Sequence, residues 1–112
     1  MSLPHPLPDE LAELIARRFR VIGEPTRIRL LDHLRDGERS VSELVDLVGA
    51  GQQNVSKHLS VLADAGVIAR RKEGNHVNYR IVDDGVLGLC EGACGSLEQQ
   101  FQTLVSLVGG AV

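Results

Sequence analysis

Cys90 and Cys94 are the only thiols of the 112-residue chain and lie four residues apart near its C-terminal end. On a helix, such spacing brings the two Cβ atoms to about 5 to 6 Å, so both sulfurs face one side and can share a soft metal or metalloid ion. Two sulfurs fall short of the four ligands of a closed zinc-type site, and a second copy's pair would complete it if this helix lines a dimer seam. An oxidative or persulfide switch on the same thiols is an alternative, although a bridge within one helix strains disulfide geometry. Packing as small apolar residues is another. A Cys-x-x-x-Cys redox enzyme would need a cation to lower a thiol pKa, whereas Glu91 adjoins Cys90 and no Lys or Arg follows Arg80. Neither a glycine-rich phosphate loop nor a nucleophile beside a base occurs in the sequence, so enzyme chemistry is not expected.

A second group of residues is suited to nucleic acid. With Val55, Leu59 and Leu62 inward on a helix, Gln53, Ser56, Lys57 and Ser60 point outward and Gln52 lies on the flank. Glutamine can bond adenine in the major groove, and lysine reaches guanine or phosphate. His58 lies beside the buried stripe, open between packing against the neighbouring hairpin and touching DNA. Downstream, Arg70, Lys72 and Arg80 could meet phosphates, with Asn75 and His76 at the minor groove. Strand alternation puts Arg70 and Lys72 on one face and Arg71 on the other. His5 and His33 are isolated and read as solvated or capping residues.

The elements that must position these residues follow from period and punctuation. Leu11, Leu14, Ile15, Phe19 and Ile22 form an amphipathic helix over residues 8–22. Pro25 opens a second helix, reaching about Arg35, with Ile28, Leu31 and Leu34 inward, Leu30 beside them and Gly37 beyond its end. Ser40 or Ser42 caps a third, with Ser40 and Glu43 as a capping box and Val41, Leu44, Leu47 and Val48 inward. After Gly49-Ala50-Gly51 a fourth helix runs from Gln52 to about Ala65. Two helices joined by a short glycine turn are a helix-turn-helix, here over residues 40–65. The period then becomes alternating, giving a two-stranded hairpin, or wing, over residues 67–82 with its turn at Glu73-Gly74-Asn75. A last helix is expected over residues 83–108, opened by Asp83 and Asp84. Its stripe Cys90, Cys94, Leu97, Phe101, Leu104 and Val108 has the spacing of a seam, so a second copy is the economical partner.

Composition agrees. The chain has 43% apolar and 24% charged residues and a formal net charge of -3, the profile of one soluble domain over residues 1–112. The average conceals a local excess: residues 51–80 carry five Lys and Arg against two Asp and Glu, whereas residues 81–112 carry four acids and no base. No secretory signal or membrane span is visible, so a cytoplasmic address and no membrane partner are expected.

Glu24-Pro25-Thr26-Arg27-Ile28-Arg29-Leu30-Leu31, Gln52-Gln53-Asn54-Val55-Ser56-Lys57-His58-Leu59, Leu62-Ala63-Asp64-Ala65-Gly66-Val67-Ile68 and Arg71-Lys72-Glu73-Gly74-Asn75-His76-Val77-Asn78-Tyr79-Arg80 stand in one order over roughly residues 20–82. In that order and spacing they resemble the second helix, recognition helix, helix exit and wing of the ArsR/SmtB transcriptional regulators. The resemblance implies a mainly α winged helix-turn-helix with a small β-hairpin, in the order α-α-α-α-β-β-α, dimerising through its first and last helices. It also implies a repressor of double-stranded operator DNA bearing an inverted repeat, released by a metal, metalloid or thiol-stress inducer. A persulfide-responsive repressor and a protein-interaction adaptor without DNA affinity are the alternatives. The family's paired cysteines at the third helix are replaced by Ser40 and Ser42. Of its zinc-type ligands on the last helix only Asp83 is kept, with Gly85, Ser96 and Gln99 at the other positions.

Overall fold

The computed structural model describes residues 2–109. Its first helix, α1 (Asp9–Ile22), begins after Pro8 with Asp9 and Glu10 in the first turn, where carboxylates meet the positive end of the helix dipole. Only Ile22 of its apolar stripe is buried, and Leu14 and Phe19 stay 57% and 54% exposed. Helix α2 (Pro25–His33) is capped by the Glu24 carboxylate, which accepts a hydrogen bond from the Arg27 N–H at 3.0 Å. Leu30, Leu31 and Leu34 enter the core, whereas Ile28, expected inside, is 42% exposed. The difference is angular: Ile28 lies at the edge of the stripe that faces α3 and α4.

Ser40 and Glu43 form the expected capping box, with Ser40 Oγ accepting from the Glu43 N–H and Glu43 Oε1 accepting from the Ser40 N–H, both at 3.1 Å. It opens α3 (Val41–Val48), which buries Leu44 and turns Val45, not Leu47, toward the core; Leu47 is 46% exposed. Gly49 closes this helix at φ 73, a left-handed conformation that costs glycine little. Helix α4 (Gln52–Asp64) follows, with Val55, Leu59 and Leu62 fully buried as its spacing predicts.

The sheet differs from a simple hairpin. Strands β2 (Ile68–Glu73) and β3 (His76–Ile81) pair antiparallel, with Ile68 opposite Ile81 and Glu73 opposite His76. A third strand, β1 (Arg39–Ser40), pairs with the other edge of β3, so the element order is α-α-β-α-α-β-β-α. Two residues show no period of their own, and β1 exists because the chain entering α3 runs beside β3. Helix α5 (Val86–Gly109) starts three residues later than expected. Asp83 lies before it, accepting from the Gly85 N–H at 2.9 Å and facing Arg18 at 3.6 Å. Val86 is buried and Cys90 packs at the core's edge; every residue from Glu91 to Gly109 is exposed.

Candidate nucleic-acid interface

Helix α4 is held from below by three buried side chains, so its opposite face is fixed in direction. Gln52, Gln53, Ser56, Lys57 and Ser60 together line a shallow concavity on that face. The N-cap Gly51 offers no side-chain bond, which leaves the first N–H groups of α4 free at the surface, where an anion can take them.

Beside this face a groove of about 530 Å³ runs between α4 and the wing, lined by Gln52, Ser56 and Ser60 on one wall and Arg70, Asn75 and His76 on the other. The hairpin turn sits at Gly74 with φ 61, the glycine-favouring conformation of a tight two-residue loop, and it lifts Asn75 and His76 to the wing tip. Pairing of Arg70 with Tyr79 and of Lys72 with Val77 places both cations on one face of the sheet. Arg71 lies on the other face, bonded to Glu38 at 2.8 Å and to Glu73 at 2.8 Å, so two carboxylates neutralise it. The Arg71 bond holds the Glu38 carboxyl below its ordinary value.

Two predicted contacts point elsewhere. Arg80 pairs with Ala69 and so shares the face of Arg71, lining a separate depression beside Glu38 and Asp84. Strand alternation forces this, because the neighbouring Tyr79 is buried on the groove side. His58 is turned inward, its side chain 15% exposed and its Nδ1 3.6 Å from Glu24 Oε2. It packs against the start of α2, not against the wing, because one position before Leu59 the helix surface faces that helix. Ser42, by sequence a candidate cap of α3, also lines the groove between α4 and the wing. Its signal was weak, since only the reach of Glu43 back to Ser40 decides which serine caps α3.

A helix-turn-helix domain model matches residues 22–71. The chain is 37% identical over 82 residues to the transcriptional repressor SmtB of Mycobacterium tuberculosis, covering 73% of this chain and 61% of that protein. It spans 59–65% of the length of SmtB and two other curated regulators of this kind. Among solved structures, M. tuberculosis Rv0081 superposes with a TM-score of 0.78 at 35% identity, covering 88% of this chain and 99% of that one. The antimony-specific repressor AntR superposes at 0.73 and 35%, covering 91% and 98%. A homodimeric winged helix-turn-helix DNA-binding domain from Mycobacterium bovis superposes at 0.72 and 25%, covering 89% and 95%.

The chain belongs to the ArsR/SmtB family of transcriptional regulators. That family is one of transcriptional regulators, not of enzymes. Within this ArsR/SmtB chain the two thiols face a cleft of about 330 Å³ between α2 and α5, lined also by Ile28, Leu31 and Leu87. Cys90 is half-buried and Cys94 exposed, and both are free thiols. Among the described residues no group of three or more His, Cys, Asp or Glu is placed to hold a metal. One chain therefore presents a soft ion with two sulfurs and no third ligand, which is not a closed site. Leu97, Phe101, Leu104 and Val108 lie beyond the cleft on α5, each more than half exposed. Among the described residues no helix is long and apolar enough to cross a membrane.

Proposed function

We propose that this chain acts as a homodimeric, inducer-released repressor that reads operator DNA with α4 and clamps the flanking backbone with its wing. The observation that carries this reading is the shared groove: Gln52, Ser56 and Ser60 of the outward polar face of α4 and Arg70 of β2 flank one channel, with Lys72 on the same sheet face as Arg70. Gln53 and Ser56 meet base edges in the major groove, and Lys57, Arg70 and Lys72 meet phosphates. Gln52 and Ser60 flank the base-reading pair, and Asn75 with His76 enters the minor groove from the wing tip. The exposed seam of α5, supported by the dimer described for the M. bovis protein, pairs two copies so that their α4 helices enter successive major grooves about 34 to 36 Å apart. In this reading residues 1–112 work as one domain in the cytoplasm.

The inducer is a thiophilic agent acting at Cys90 and Cys94. AntR, which resembles this chain over most of its length, is by name antimony-specific, and a metalloid ion here would need further sulfurs from the second copy. The test is fluorescence anisotropy on the protein's own promoter region and on random duplex at two salt concentrations. Preference for the promoter fragment, with affinity falling steeply as salt rises, is the expected result. Equal, salt-insensitive or undetectable binding to both duplexes overturns the reading and favours a protein-binding adaptor.

A further inference from the structure

Resting on that regulatory reading, we propose that the cleft between α2 and α5 is the effector site and that its effector is a small apolar organic electrophile, an unsaturated carbonyl compound of one or two rings. The cleft of about 330 Å³ is at the lower end of the size that encloses small organic ligands. Ile28, Leu31 and Leu87 give it apolar walls, and both thiols of the chain open into it. Soft nucleophiles at an apolar wall suit a carbon electrophile, which needs no further ligand, better than an ion that wants three or four. Asp32 and Arg35, paired at 3.0 Å and about half exposed, stand at the rim and mark the mouth as facing solvent. Arg29 lines the same cleft and has no ion-pair partner among the described residues, so its guanidinium is available to an oxygen that gains negative charge.

The step balances without an outside oxidant or reductant. The thiolate sulfur of Cys94 or Cys90 forms a bond to the β-carbon, the carbon–carbon π pair moves through the carbonyl to its oxygen beside Arg29, and that oxygen takes the proton the thiol lost. With a quinone, the hydrogen left on the attacked carbon then shifts as a proton to the second carbonyl oxygen, and the ring becomes an aromatic hydroquinone thioether. The adduct wedges α5, which carries the seam, away from α2, which packs against α3 and α4. The spacing of the two recognition helices is thus tied to occupancy of the cleft.

The probe is 1,4-naphthoquinone under anaerobic conditions, with intact-mass spectrometry and the promoter-binding assay run on the same samples. The parent is expected to gain one naphthoquinone per chain, and the Cys90→Ser, Cys94→Ser double variant none. Ile28→Glu places a charge on the apolar wall and should slow this addition about tenfold while leaving labelling by the small polar reagent iodoacetamide within about twofold. Ile28 is 42% exposed, so the variant should fold, and Arg29→Ala gives an independent check with the same expected selectivity. Modified parent should lose at least about tenfold in promoter affinity. Equal slowing of both reagents, or of neither, means ordinary thiol exposure and overturns the site. Selective capture without loss of promoter binding overturns the effector role. Failure of the untreated protein to bind its promoter sinks the repressor reading instead, while the mass data still decide the cleft.

Discussion

His58 on α4 and Glu24 at the start of α2 meet half-buried between the two helices, His58 Nδ1 lying 3.6 Å from Glu24 Oε2. The same carboxylate oxygen caps α2 through the Arg27 N–H, so one side chain ties the orientation of the recognition helix to the helix beneath it. Among the described residues neither His58 Nδ1 nor Arg27 Nε has a hydrogen-bond partner, and Glu24 Oε2 lies 3.6 Å from the first and 4.0 Å from the second. Glu24→Ala should therefore cost about 1 kcal/mol through the lost cap alone. Its effect and that of His58→Ala should be non-additive by at least about 0.5 kcal/mol in a double-mutant cycle read by urea unfolding. Strict additivity would show that the contact carries no energy.

In the proposed mode of DNA binding, base reading and phosphate binding separate on α4. Gln53→Ala should lose about 1 to 3 kcal/mol on the promoter site and little on random duplex. Lys57→Ala, and Arg70→Ala or Lys72→Ala in the wing, should weaken both alike and lower the salt slope by about one. Because Arg80 lies on the opposite face of the sheet beside Glu38, Arg80→Ala should change promoter binding least of the four cations. Titrations on both duplexes check the set, and a larger loss for Arg80 than for Arg70 would reverse the assignment of the DNA-facing side.

In the proposed dimer the exposed α5 stripe is the seam. Leu97, Phe101 and Leu104 are 63%, 66% and 57% exposed in one chain, more apolar surface than a lone helix keeps in water. Burying a Phe or Leu gains about 1.5 to 3 kcal/mol, and twofold symmetry doubles each loss. Phe101→Asp is expected to yield a monomer in sedimentation velocity and to abolish operator binding while thermal unfolding of the core persists. A dimeric variant would move the seam to another face.

Acid should loosen the approach to α3. The Ser40 N–H, and then the Ser40 hydroxyl, hold the Glu43 carboxyl below its ordinary 4.5, and Arg71 does the same for Glu38. Folded values that lie below unfolded ones favour the folded state above pH 4.5 and lose that contribution as pH falls through the depressed values. Glu43→Gln keeps a side-chain acceptor for the cap but cannot titrate. Combined with Glu38→Gln, it should flatten the fall of Tm in the region below 4.5 relative to the parent. Thermal scans at stepped pH measure this, and parallel curves would show that the two carboxylates do not contribute.

Much of this protein could be read along the chain because its signals are local. The four-three spacing of Val55, Leu59 and Leu62, the Ser40 and Glu43 pair, and Gly49 and Gly74 each depend on neighbours within a turn, and each stands in the structure where its spacing puts it. Alternation along the wing likewise puts Arg70 and Lys72 on the sheet face opposite Arg71, as the register confirms. What chain order could not decide depends on which distant element lies opposite. Ile28 and Leu47 have core chemistry but point past the helices they would need to meet. β1 has only two residues and forms because β3 offers it an edge. His58 turns inward because Glu24, more than thirty residues earlier, waits there. Period fixes an angle around one helix axis, but what fills that angle is set by how helices and strands pack, and for that reason the cleft joining Cys90 and Cys94 to Ile28 and Arg29 emerged only from the folded chain.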